Sequence, residues 1–287
     1  MNALAVAFAI ASALCFGGGL VLTQIGLRKL SPLAGAAISV PSSAFFMLAL
    51  SPFVIGSEPV HWAAVPIFAA IGLIYPGSVT LITFESNRVL GPVIAGTLGN
   101  LAPLFAVGLA FVLLGEPLRP AQLAGLVVVV AGVAVLSSRP GEMTLWRSWY
   151  LLLPIAGAVL RGTIQPAMKL GLAVWPSPFA ASLVSYIVSA LVVLSAARLR
   201  TGRLVAEAPQ RTRLWFVGVG IVNCMAVLLL YAALTKGPVT LVSPLVATYP
   251  LVTVPLSALV LGKSEGGTRL LVAVALTVAG VVLLIVG

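Results

Sequence analysis

The chain has 287 residues, of which 61% are hydrophobic and 8% charged, where a soluble globular protein carries about 25% charged residues. That excludes a water-soluble fold of this size. The net charge of +10 first suggests nucleic acid, but the basic residues fall in ones and twos between apolar runs. No basic helix or aromatic platform is there to follow a phosphate backbone, so no nucleic-acid partner is expected and the charges are topogenic.

Apolar runs of about 20 residues cross roughly 30 Å of hydrocarbon as helices. Such runs predict ten spans at 3–26, 32–55, 63–86, 92–114, 120–137, 149–172, 177–197, 214–235, 239–261 and 268–286. The first begins without a preceding basic residue and exceeds a signal-peptide core, so it is expected to be retained. It carries Gly17, Gly18 and Gly19, which suit close helix approach. No strand precedes them, so they are no phosphate loop. His61 and Trp62 before the third span are expected to anchor it at the interface. Tyr75 and Ser78 share one of its faces, and the break after it is placed at Arg88. Asn100 lies in the middle of the fourth span, which also contains Gly96, Gly99, Pro92 and Pro103 and ends in Leu114-Gly115-Glu116. Gly125 and Gly132 follow in the fifth.

The sixth span contains Arg161 near its middle, with Gln165 and Lys169 at i+4 and i+8 on the same face. An ionisable group at membrane depth costs at least about 2.5 kcal/mol and is a functional candidate by default. Two roles are open to Arg161: contact with a substrate, or a structural pair with a carboxylate or helix carbonyls. Asn223 lies mid-eighth, and Tyr249, beside Thr248, mid-ninth. The ninth also holds Pro238, Pro244, Pro250 and Pro255. Polar residues of this kind glue helices together as readily as they bind ligands. Prolines matched between the fourth and ninth spans, however, mark interrupted helices that free backbone carbonyls at depth. A cavity is therefore expected between spans 3, 4, 6, 8 and 9, with span 1 contributing. Its substrate-binding residues would be Arg161, Gln165, Tyr75, Ser78, Asn100, Asn223 and Tyr249. Cys15 and Cys224 lie inside apolar runs and imply neither a disulfide nor a metal site. No cofactor is expected.

The halves 1–138 and 139–287 resemble each other. Gly91-Pro92-Val93 matches Gly237-Pro238-Val239 at an offset of 146, Pro103 matches Pro250 at 147, and Ala131-Gly132-Val133 matches Ala279-Gly280-Val281 at 148. Gly17 and Gly26-Leu27 match Gly162 and Gly171-Leu172 at 145. Five spans per copy put the second copy upside down, giving an all-α integral membrane fold of two inverted five-helix repeats.

In these features the sequence resembles the ten-helix, EamA-like branch of the drug/metabolite transporter superfamily. The most specific element is Leu114-Gly115-Glu116 with Gly125 and Ala131-Gly132. The second copy departs from it, reading Leu261-Gly262-Lys263 with Glu265 beyond. The resemblance implies export of small polar metabolites, amino acids above all, across the bacterial inner membrane. The expected ligand is a small molecule carrying a carboxylate, and the chain is expected to act as a monomer in the bilayer. A multidrug or cation exporter of the same fold needs an anionic site, and the first span has no acidic residue. A membrane-embedded enzyme needs paired carboxylates, a Ser/His couple or metal ligands, but the chain has no Asp, six Glu mostly in loops, and one histidine. A flippase for lipid-linked headgroups would also suit a basic cavity. No GxxxxGK[ST] motif for ATP hydrolysis occurs. For proton coupling the nearest carboxylate is Glu85, which is expected at the interface.

Charge bias sets the orientation. Loops 1, 3, 5, 7 and 9 hold Arg28, Lys29, Arg88, Arg139, Arg147, Arg198, Arg200, Arg203, Arg211, Arg213, Lys263 and Arg269, whereas Arg119, Lys169 and Lys236 lie at the even loops. The odd loops should be cytoplasmic and both termini periplasmic. Topology-reporter fusions should therefore report cytoplasm at Gly202 and periplasm at Gly287; a cytoplasmic C-terminus would refute this orientation.

Overall fold

The computed structural model describes residues 2–55, 59–137, 149–205, 207–261 and 268–286, apart from side chains at 91–97, 133, 136–137, 261 and 268–271. Outside them lie Arg139, Arg147, Gly262, Lys263 and Glu265, together with the side-chain environments of Gly91, Pro92, Val93, Gly96, Val133, Leu261 and Arg269.

Among the described residues every regular element is helical: α1 (Ala3–Gly26), α2 (Pro32–Val54), α3 (Val65–Ile74), α4 (Gly77–Gly99), α5 (Ala102–Leu114), α6 (Pro120–Ser137), α7 (Leu152–Val174), α8 (Pro178–Thr201), α9 (Gln210–Lys236), α10 (Val239–Val246), α11 (Pro250–Leu261) and α12 (Thr268–Val286). Among the described residues, seven helical stretches are long and apolar enough to cross a bilayer, and Ala102–Leu114, Pro120–Gly132 and Val272–Val286 are shorter apolar helices. The molecule is a multi-pass helical membrane protein.

Local chemistry starts these helices in a duplicated way. Ser31 Oγ accepts the Ala34 N–H ahead of Pro32, and Ser177 Oγ accepts the Ala180 N–H ahead of Pro178. Each pairs a side-chain cap with a proline, whose missing N–H belongs to the first turn that lacks acceptors anyway.

Where the sequence predicted two elements, at 63–86 and 92–114, there are three, and Arg88 is no break. It lies within α4 and pairs with Glu85 one turn earlier. An i,i+3 ion pair on an exposed helical face imitates a polar loop in one dimension. The first true break is at Tyr75, which is extended (φ −133°, ψ 133°) because the following Pro76 disfavours the α region for its predecessor. The Tyr75–Pro76 peptide is cis. The second is at Asn100–Leu101, just before Pro103, whose nitrogen cannot donate to the turn behind it. The ninth predicted span divides likewise, between α10 and α11 at Ala247–Tyr249, immediately before Pro250.

The repeat is visible in packing. A β-carbon on Gly17 would fall 2.7 Å from Val252 Cβ and 2.8 Å from the Tyr249 carbonyl; one on Gly162 would fall 2.5 Å from Phe105 Cβ and 2.7 Å from the Ala102 carbonyl. These contacts are the same pair displaced by 145 and 147 residues. In the α6–α12 contact, Gly132 lies against Thr277 and Gly280 against Val129, so each helix makes to the other the contact it receives. Gly18, expected to aid close approach, has nothing within 4 Å of a would-be β-carbon. Gly220 is the opposite case, since a β-carbon there would overlap the Ser39 carbonyl. Gly220→Ala should therefore destabilise by about 1–3 kcal/mol through overpacking, while Gly18→Ala should be neutral. Thermal denaturation of both variants in one detergent checks the contrast.

Candidate functional site

A cavity lies in the middle of the bundle, lined from α1, α2, α4, α5, α7, α8, α9, α10 and the breaks between them. Six of the seven residues selected from sequence line it: Arg161, Gln165, Tyr75, Asn100, Asn223 and Tyr249. Ser78 does not. Its hydroxyl donates to the Leu73 carbonyl at 2.9 Å, bridging the α3–α4 break. Tyr75 and Ser78 therefore do not share a helical face; Tyr75 ends one helix and Ser78 opens the next.

Arg161 is half-buried on α7, with Nε 3.4 Å from the Gly157 carbonyl one turn back. Its guanidinium lies over Gly99, where a β-carbon would be 2.9 Å from Nη2 and 3.8 Å from the Tyr249 hydroxyl. One arginine thus reaches the α4–α5 break beside a tyrosine from the α10–α11 break. Among the described residues it is the single charged side chain lining the cavity, and no carboxylate pairs with it.

Around it are buried polar atoms without a protein partner: both side-chain atoms of Asn100, Gln165 Oε1, Asn87 Nδ2, Ser39 Oγ and Ser243 Oγ. All five residues line the cavity. Such an atom costs about 1–3 kcal/mol when dry, so a concentration of them in one chamber marks a place built to be wetted or filled. Asn223 crosses onto α1, its amide oxygen lying where a β-carbon on Gly19 would be. Phe16 and Leu20 of α1 also line the chamber. They correspond to Arg161 and Gln165 at the 145 offset, so the matched walls are apolar on α1 and polar on α7.

Ser39, Ser43, Asn87, Tyr186 and Ser243 also line the chamber, bringing in α2 and α8 beyond the spans expected from sequence. A signal existed: Thr80, Thr83 and Asn87, and likewise Ser39 and Ser43, recur at helical spacing and all line the cavity. Placing Arg88 in a loop concealed the first stripe. Lys169, on the same predicted face as Arg161, leaves the cavity; its Nζ donates to the carbonyls of Leu234 at 2.6 Å and Gly237 at 2.7 Å. Glu116 accepts the N–H groups of Val239 and Thr240, both at 2.9 Å.

A multi-pass helical bundle with a polar chamber between duplicated, interrupted helices has the form of a membrane transport protein. The EamA-like transporter family model matches twice, over residues 3–138 and 147–286. The chain belongs to that family, within the drug/metabolite transporter superfamily. No curated protein matches it. A crystal structure of a protein of 21% identity superposes with a TM-score of 0.81, covering 99% of this chain and 96% of that one. That likeness establishes the fold alone.

Pro103 and Pro250 each open the second piece of an interrupted helix bordering the chamber. Replacing either by Ala restores a backbone donor and favours a continuous helix. Transport should fall several-fold in each variant while membrane insertion stays near wild type; wild-type transport in both would show that the prolines are merely tolerated.

Proposed function

We propose that the chain is a secondary transporter exporting small polar metabolites, with amino acids the favoured class, across the bacterial inner membrane by alternating access. The observation that carries this reading is Arg161, a guanidinium in a buried chamber among unpartnered amides and hydroxyls, with no described carboxylate to neutralise it. A guanidinium stays protonated and presents a rigid fork matched to a carboxylate. A substrate carboxylate would meet Arg161, and Gln165, Asn100, Asn223, Tyr75 and Tyr249 would bond the remainder. A cationic drug would meet Arg161 unscreened, which disfavours the multidrug alternative. A lipid-linked headgroup fits the same charge and remains the second reading.

In this proposal ten spans form two inverted halves, 1–138 and 139–287. The duplicated contacts at Gly17 and Gly162 support that arrangement. With the odd loops in the cytoplasm, Leu20 and Thr23 near the end of α1 and Ser39 in the first half of α2 line the chamber's cytoplasmic side. An exporter would load from that side, working as a monomer in the bilayer.

Arg161→Gln tests the site. Losing a charge-assisted pair of about 1.5–3 kcal/mol should lower amino-acid counterflow in proteoliposomes at least about tenfold at normal membrane abundance, and Arg161→Lys should rescue poorly. Normal transport, or loss of abundance alone, sinks the assignment.

A further inference from the structure

On α1 the chamber is confined to one end of the helix, and the other end is packed shut. The first half of α1 supplies no lining residue; instead Ala5, Ala9 and Ala13 are buried. A β-carbon on Gly237 would be 2.7 Å from Ala5 Cβ, and Ser12 Oγ donates to the Ala226 carbonyl at 2.7 Å. All eight residues of α10 are buried. At this closed end two opposite charges grip the corner where α9 gives way to α10. Glu116, from the link after α5, accepts the first two N–H groups of α10, and Lys169, from α7, donates to the last carbonyls of α9. Each charge complements both the unsatisfied groups and the dipole of the helix end it meets.

The rod held in this way is bounded by a break at each end. Gly237 and Pro238 precede α10, and the Ala247–Tyr249 break follows it. Its far end contributes Ser243, Val246 and Ala247 to the chamber. A shift at the clamp therefore reaches the cavity through one short, rigid segment. The opposite end is built differently: Lys169 corresponds at the 145 offset to Gln24, next to the cavity-lining Thr23. Gln24 is neutral, and its Nε2 has no partner. The charged clamp thus stands at the tightly packed end, and the orphaned amide at the end where α1 borders the chamber.

We propose that Glu116 and Lys169 are the positioning residues of a gate, clamping α10 while this end is closed and releasing it when the chamber opens there. This rests on alternating access but on no particular solute, so the test reads the gate without transport. Cys15 and Cys224 are replaced by Ala, and single cysteines are placed at Val242, which is fully buried on α10 outside the lining, or at Thr83 in the lining. Each is labelled with a hydrophilic maleimide in nanodiscs, with Glu116 intact or as Glu116→Gln. Removing the carboxylate should speed labelling at Val242→Cys about tenfold and slow it at Thr83→Cys, because opening one end closes the other. Unchanged labelling at Val242→Cys overturns the gate. So does faster labelling at both positions, which is general loosening and not an exchange of access. Failure of Arg161→Gln to affect counterflow would leave this result standing, so the two readings fall separately.

Discussion

A peptide group in hydrocarbon finds no water, so every interruption of a membrane helix must be repaired from within the protein. This chain interrupts its helices at Tyr75, at Asn100–Leu101 and at Ala247–Tyr249, and the repairs account for much of its interior polarity. Ser189 serves the first break from α8: its hydroxyl accepts the Gly77 N–H at 3.0 Å and donates to the Gly72 carbonyl at 2.6 Å. Ser185, one turn earlier, donates to the Phe68 carbonyl at 3.1 Å and lies 2.9 Å from the Tyr231 hydroxyl. These serines are fully buried, and each joins two helices while completing a backbone.

All three breaks border the chamber, and at the other two the side chains stay largely unengaged. Asn100 occupies one break with no partner for either side-chain atom, and Tyr249 ends the other with its hydroxyl near Gly99, which the Arg161 guanidinium also reaches. The serine hydroxyls at the first break are engaged, whereas side-chain amides and hydroxyls around the chamber have no protein partner. A fully satisfied network fixes geometry, whereas unsatisfied donors and acceptors hold a standing preference for a polar guest.

Much of this was legible in one dimension. Hydrophobic run length placed α1, α2, α6 and α12 to within a residue or so, because lipid enforces a length on every span. Matched prolines located the breaks at Pro103 and Pro250, since a missing donor is a local property of the residue. Arg161 stood out because a charge at depth is rare. What failed depended on three dimensions. The Glu85–Arg88 pair looked like a loop, and the extended Tyr75 before Pro76 was not separated from a continuous span. Lys169 shares a helical stripe with Arg161, but its length lets it reach the end of a neighbouring helix. Ser39 and Ser243 gained significance only when folding placed them on one chamber.

Phe16 and Leu20 stand on α1 where Arg161 and Gln165 stand on α7. In a symmetric pair of identical five-helix chains these positions would be forced to match, giving two arginines repelling across the chamber or two phenylalanines with nothing to orient a charge. Fusion of the halves into one polypeptide removes that constraint. Each wall then mutates independently, and the chamber acquires a head and a tail. A solute lying between them is held in one direction only, a polarity that no exact dyad can possess.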